Sequence, residues 1–199
     1  MSTSSLSRSF RRAVTLVAGL NIAYFGVEFV VALRIDSVSL FADSVDFLED
    51  TSINLLILLA SYWSPLWRSR IGRFLAIILL VPTVAAFWAT WNKLASPIPP
   101  GAFALTVTGV GALAVNLTCA FLLARHRHSA GSLTKAAWLS ARNDALANVA
   151  IIFAGFLTAM TLSAWPDLVV GLGIAALNAG AAREVWIQAA AERAGTARA

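Results

Sequence analysis

Apolar residues dominate the chain in six long runs, which short polar or helix-breaking stretches separate. A helix that crosses a bilayer needs about 20 mostly apolar residues, and each run is about that long. The breaks are rich in proline, glycine and charge, as in the segment Pro97 to Gly101. The pattern predicts an all-α integral membrane protein with six transmembrane helices. The predicted spans are 13–33, 38–62, 74–94, 102–124, 136–162 and 168–190.

Composition supports a membrane protein and excludes several other classes. Of the 199 residues, 59% are hydrophobic and 13% are charged, whereas a soluble domain is about 25% charged. The one cysteine, Cys119, excludes a disulfide scaffold, and its place in an apolar run indicates simple packing. The net charge of +5 is scattered between apolar runs, which argues against a nucleic-acid partner. No Ser/His/Asp set or Gly-rich phosphate loop indicates an enzyme.

The basic residues predict how the helices are oriented in the bilayer. Lysine and arginine are favoured on the cytoplasmic side of membrane proteins, and twelve of them fall on one predicted side, against Arg34 and Lys93 on the other. These twelve are Arg8, Arg11, Arg12, Arg68, Arg70, Arg73, Arg125, Arg127, Lys135, Arg183, Arg193 and Arg198. Both termini are therefore expected in the cytoplasm. We expect a cytoplasmic segment at 1–12, a transmembrane domain at 13–190, a short cytoplasmic tail at 191–199 and no C-terminal cytoplasmic domain. Short loops and the lack of an added targeting segment suit a bacterial inner membrane.

Four acids stand at the head of the second predicted helix, in SVSLFADSVDFLED. On a helix, Asp43, Asp46 and Asp50 fall within one stripe about 80° wide, whereas Glu49 lies to one side. A charged carboxylate inside a bilayer costs several kcal/mol unless it is paired, protonated or bound to a cation. The alternative is that the helix begins later and the acids only cap it. That alternative fails for Asp50, two turns further in, so Asp46 and Asp50 are candidate cation ligands.

The fifth predicted helix carries a second polar patch, in AAWLSARNDALANVAII. Ser140 and Asp144 are one turn apart and share a face. If that face meets the acidic stripe of helix two, Asp46, Asp50, Ser140 and Asp144 form an oxygen-rich pocket suited to a divalent cation. The spacing permits this convergence without requiring it.

Several stretches resemble the cation diffusion facilitator family. Helix two is similar in SVSLFADSVDFLEDTSINLL, where the family has Asp or His followed four residues later by Asp, which here are Asp46 and Asp50. The three further stretches that agree in order and spacing are AGLNIAYFGVEFVVAL, KAAWLSARNDALANVAII and SAWPDLVVGLGIAALNAGAAREVW. GALAVNLTCAFLLARHR is similar to the family's fourth helix, and the third helix matches only in apolar character. The resemblance implies a six-helix exporter that moves Zn2+ or related ions out of the cytoplasm in exchange for protons. It also implies metal ligands at Asp46, Asp50 and Asp144.

The resemblance fails at one ligand position. Zinc carriers of this family have His four residues before the Asp of helix five, where this chain has Ser140. A hydroxyl is a weaker and harder ligand than imidazole, which shifts the expected preference towards Mn2+, Fe2+ or Mg2+, or leaves water to complete the shell. Co2+ and Cd2+ are also candidate ions. Zinc stays among the candidates. No tightly bound cofactor is expected.

Other polar or small residues have two interpretations each. His126 and His128 could gather metal, although their arginine neighbours explain the loop equally well. Asn21 and Glu28 could line the path or hydrogen-bond within the bundle. Asp43 could cap a helix, gate the entrance or pair with Arg34. Asp167 is expected to cap its own helix.

Helix six has small residues at Gly171, Ala175 and Ala179, which let helices approach closely. This stripe predicts either a homodimer made within the membrane or packing inside one protomer. The leading hypothesis is a proton-coupled divalent cation exporter that works by alternating access. The competing hypothesis is a non-transporting relative that senses metal or serves as an interaction partner.

Overall fold

The computed structural model describes residues 8–59, 84, 87–95, 97–125 and 132–177, apart from the side chains of 56, 57, 59 and 132–141. Within these ranges all regular secondary structure is helical. The helices are α1 (Arg8–Ile35), α2 (Val38–Leu59), α3 (87–95), α4 (Ala102–Ala124), α5 (Ser132–Thr161) and α6 (Trp165–Leu177). The all-helical fold is as predicted, and each described helix lies in or overlaps a predicted span.

Helix boundaries agree best where the chain is bounded by proline or glycine. The bounds of α4 are those predicted, because Pro99, Pro100 and Gly101 stop any earlier start. In contrast, α1 begins at Arg8 and α5 at Ser132, each before the predicted apolar run. Arginine and lysine are good helix formers, so a helix continues through them where hydropathy alone shows a boundary.

Within the described ranges, three helical stretches are long and apolar enough to cross a membrane, namely Arg8–Ile35, Ala102–Ala124 and Arg142–Thr161. Many of their large apolar side chains are exposed on the outside of the bundle, as a lipid-facing surface requires. Examples with more than half of their surface exposed are Leu16, Val27, Phe103, Phe121, Phe153 and Met160.

Four of the helices pack as two closely associated pairs. The contacts of α1 with α2 and of α4 with α5 are extensive, and those between α2 and α5 are fewer. Buried apolar side chains near the end where α1 stops and α2 starts come from five helices, α1, α2, α4, α5 and α6. We call this end of the bundle the Ser37 end. The acidic stripe of α2 therefore lies on one pair and Asp144 on the other.

The N-terminus of α2 is held by a carboxylate from α6. Ser37 and Ser39 donate their hydroxyls to Asp167 Oδ1 at 2.7 and 2.6 Å, and the backbone N–H groups of Val38 and Ser39 donate to Asp167 at 2.9 and 3.1 Å. Asp167 is wholly buried and also pairs with Lys93 Nζ of α3 at 3.5 Å. Its position at a helix start predicted that Asp167 would cap its own helix, whereas the structure shows it capping α2. This joint connects α2, α3 and α6 at the Ser37 end.

Helix α6 lies directly against the backbone of α2 at Gly171. A Cβ atom added at Gly171 would come within 2.7 Å of the Val38 carbonyl carbon and 2.8 Å of the Ser39 nitrogen. Ala175 is buried in the same core, while Ala179 lies outside the described residues. The described part of the small-residue stripe is thus used within one protomer, which favours that interpretation over a dimer contact on this face.

Replacing Gly171 by Ala is expected to destabilise the protein by about 1–3 kcal/mol, because backbone atoms cannot move aside as a flexible side chain can. Gly173→Ala is the matched control, since a Cβ atom there would meet nothing within 4 Å. Thermal unfolding of the two variants in detergent measures the difference. Equal melting temperatures would show that α6 does not pack this closely on α2.

Candidate metal centre

The acids of α2 lie inside the helix and differ in burial. The helix begins at Val38, where Ser37 Oγ accepts a hydrogen bond from the Leu40 N–H at 3.2 Å as an N-cap does. Asp43 and Asp50 are buried, and Asp46 and Glu49 are half-buried. The alternative that these acids only cap the helix is therefore wrong. Asp43 also does not pair with Arg34, because neither of its carboxylate oxygens accepts a hydrogen bond from a described donor.

Asp50 is supported by residues from two other helices. Asn21 of α1 donates its side-chain N–H to Asp50 Oδ2 at 3.4 Å, and Cys119 of α4 donates its S–H to Asn21 Oδ1 at 3.4 Å. All three side chains are buried. These long hydrogen bonds are weak, but they orient the Asp50 carboxylate within the bundle. Asn21 thus hydrogen-bonds inside the bundle, one of its two predicted roles.

Asp144 faces this group from α5. Its half-buried carboxylate is close enough to that of Asp46 for the two negative charges to repel each other. Cys119 lies in the electrostatic field of both Asp50 and Asp144. The structure therefore brings Asp46, Asp50 and Asp144 to one region between the two helix pairs. The backbone of Ser140 is in α5 one turn before Asp144, and its side chain lies outside the described residues.

Two asparagines extend the oxygen-rich region. Asn54 donates its amide N–H to the backbone carbonyl of Asp50 at 2.7 Å, and Asn148 does the same to Asp144 at 2.8 Å. Each asparagine is one turn after its acid, and in each the side-chain carbonyl oxygen is buried without a donor from any described group. Carbonyl oxygens are ligands that hard divalent cations accept. Helix periodicity places Asn54 on the same face as Asp50, one turn later, but it cannot show that these oxygens lack a donor.

The acids of the site stand apart from one another. Among the described residues, no three His, Cys, Asp or Glu side chains are close enough to hold one metal ion together. Lys93 is the only buried basic residue in the described ranges, and it is engaged at the Ser37 end. The repulsion between Asp46 and Asp144 acts across the gap between the two helix pairs. A cation placed between them would relieve that repulsion.

A family model for the cation efflux transmembrane domain matches residues 14–192. The chain belongs to the cation efflux family. This confirms the resemblance that the helix motifs indicated, and it agrees with a membrane-embedded transporter of metal cations rather than an enzyme. No curated protein matches the chain at a significant level.

Two predicted features of the family remain outside the described part of this structure. His126 and His128 fall in the segment 126–131, for which the structure describes nothing. The role of Ser140 as a fourth ligand likewise stays a prediction. Glu28, which could line the path or hydrogen-bond within the bundle, lies against Asp43 of α2.

Proposed function

We propose that this protein exports divalent cations from the cytoplasm in exchange for protons, binding each ion between α2 and α5. The observation that carries this proposal is the facing arrangement of Asp46 and Asp144 on two different helix pairs, with Asp50 beside them. A cation that binds between like charges inside a membrane protein reduces their repulsion, and so does a proton. The transported ion is the substrate, and the proposal includes no resident cofactor.

The proposed ligands are Asp46, Asp50, Asp144 and Ser140, as the resemblance and the spacing predicted. Asn54 and Asn148 add two uncommitted carbonyl oxygens next to the acids. A site made of carboxylate, hydroxyl and amide oxygens is hard, which favours Mn2+ or Fe2+ over softer ions. Zn2+ remains a candidate because carboxylates also bind it.

The two helix pairs offer a route for alternating access. Because the acids lie at the smaller α2–α5 interface, rocking of one pair against the other would expose them first to one side and then to the other. The joint at Asp167 ties α2 to α3 and α6 at the Ser37 end, and we propose that it must loosen when that end opens. From the distribution of basic residues, we place the Ser37 end away from the cytoplasm and both termini, with 1–12 and 191–199, inside. The transmembrane domain is 13–190, and the membrane we propose is a bacterial inner membrane.

The test is a panel of Zn2+, Mn2+, Fe2+, Co2+ and Cd2+, measured for flux into proteoliposomes and for binding by calorimetry. Ser140→His is expected to raise the affinity for Zn2+ selectively, because imidazole is a better zinc ligand than a hydroxyl. An equal change for every ion would place Ser140 outside the coordination shell. Absence of both binding and flux at micromolar metal would favour the non-transporting alternative.

A further inference from the structure

Glu28 of α1 and Asp43 of α2 form a pair of buried carboxyl groups that the proposed metal site does not use. Both residues are 0% exposed, and their carboxyl groups are within hydrogen-bonding range of each other. Within the described part of the chain, none of their four oxygens receives a hydrogen bond from a donor. Two ionised carboxylates contain only acceptors, so a hydrogen bond between them requires a proton on one of them.

The neighbouring donor is committed elsewhere. The hydroxyl of Tyr24, one turn before Glu28 on α1, donates to the backbone carbonyl of Thr108 on α4 at 2.6 Å. The Tyr24 ring packs on Phe47 with 5.2 Å between centroids, and its hydroxyl lies where a side chain at Gly111 would be. Contacts with α2 and α4 therefore fix Tyr24 in an orientation in which its hydroxyl donates its hydrogen bond to α4.

The charged groups around the pair increase the repulsion. The charge of Asp46 on α2 acts on Glu28, and Asp46 is itself repelled by Asp43 and by Asp144 of α5. The buried lysine, Lys93, contacts Asp36 and Asp167 at the Ser37 end. Two adjacent carboxylates in a buried site cannot both be ionised without a compensating cation, because desolvation and mutual repulsion act in the same direction.

We propose that Glu28 and Asp43 bind one proton between them, as a carboxylic acid hydrogen-bonded to a carboxylate. This proton site is separate from the proposed metal ligands. A divalent ion is a poorer occupant, since among the described residues no third His, Cys, Asp or Glu side chain joins these two carboxylates in a group that could hold a metal ion. The proton comes from solvent and returns to solvent, with no covalent bond to carbon made or broken.

The Glu28–Asp43 pair lies close enough to a proposed metal ligand for its charge to affect metal binding, a step that rests on the proposed function. Asp43 precedes Asp46 by three residues, about 4.5 Å along the helix axis. The charge of the pair therefore acts on Asp46, which is one of the proposed metal ligands. A cation arriving at Asp46 favours loss of the shared proton, and a proton arriving at the pair favours release of the cation.

Infrared difference spectroscopy of the full chain in lipid nanodiscs tests the proton directly. The difference spectrum obtained by subtracting Glu28→Gln from wild type is expected to show the carbonyl band of a protonated carboxyl group. That band should shift when the sample is measured in deuterium oxide. Asp43→Asn should remove the same band, because the remaining carboxylate then accepts from an amide and needs no proton. Glu49→Gln is the matched control and should leave the band in place.

The result does not depend on transport. If the protein transports no metal but shows this band, the proposed function is wrong and the proposed proton site stands. A band that persists in both Glu28→Gln and Asp43→Asn, or that is missing from wild type at neutral pH, overturns the proposal. The proposal is also overturned if adding Mn2+ abolishes the band while Glu28→Gln lowers the number of ions bound per chain, since the pair is then a metal site.

Glu28→Gln should also fold normally, because a neutral amide resembles the protonated carboxyl that the pair contains. We expect its melting temperature in detergent to stay within a few degrees of wild type, whereas Glu28→Lys should fail to fold. A large loss of stability in Glu28→Gln, with Asp43→Asn behaving alike, would show that the pair needs two negative charges and hence a metal cation.

Discussion

Asp50→Asn is expected to reduce divalent-cation flux into proteoliposomes by more than about 100-fold. Loss of a group that merely orients a ligand typically costs 10–100-fold in metal affinity or activity, and Asp50 is proposed to be a ligand itself. Asp50 is 5% exposed and is oriented by Asn21. The asparagine keeps the shape of the side chain and removes only its charge. Flux is measured with an ion-sensitive dye inside the liposomes.

Glu49→Gln is the matched control for this substitution. Glu49 is adjacent in sequence and carries the same charge, but it lies off the acidic stripe. We expect Glu49→Gln to retain wild-type flux. If Asp50→Asn and Glu49→Gln lose flux equally, the effect is that of net charge, and the assignment of Asp50 as a ligand is wrong.

Asp167→Ala is expected to destabilise the protein by about 3–5 kcal/mol, the range observed when one partner of a buried ion pair is removed. The substitution leaves Lys93 without its buried partner and frees the hydroxyls of Ser37 and Ser39 and two backbone N–H groups of α2. Because the proposed metal ligands lie on α2, flux should fall together with stability. Thermal unfolding in detergent and liposome flux measure the two effects.

The other carboxylate paired with Lys93 provides the control. Asp36 lies 3.7 Å from Lys93 Nζ, but its side chain is 76% exposed. An exposed ion pair is worth less than about 1 kcal/mol, so Asp36→Asn should be close to wild type. A loss in Asp36→Asn as large as that in Asp167→Ala would mean that charge on Lys93, rather than the buried cap of α2, determines the stability of the Ser37 end.

Sequence predicted the helices well because a bilayer imposes a simple length requirement on apolar segments. The bounds of α4 agree for that reason, with proline and glycine marking where it starts. The acids at Asp46, Asp50 and Asp144 were found by the same physics, since a carboxylate in an apolar run requires an explanation. The family model over residues 14–192 confirms the resemblance that these motifs carried.

Contacts between distant segments could not be predicted in the same way. Asp167 is 128–130 residues from the groups of α2 that it binds, and its position near a helix start suggested a local cap. The pairing of Glu28 with Asp43 likewise depends on how α1 and α2 are rotated against each other. Periodicity defines a face for each helix, but which faces meet is decided by packing, including the close contact at Gly171.

The most direct test of the account is to locate a bound ion. Crystals of the Mn2+-loaded protein, measured near the manganese absorption edge, give an anomalous difference map in which only the metal stands out. We predict one peak per chain between α2 and α5, bounded by the carboxylates of Asp46, Asp50 and Asp144, and loss of that peak in Asp144→Asn. A peak at any other place, or one that survives Asp144→Asn unchanged, would contradict a cation site between these two helices.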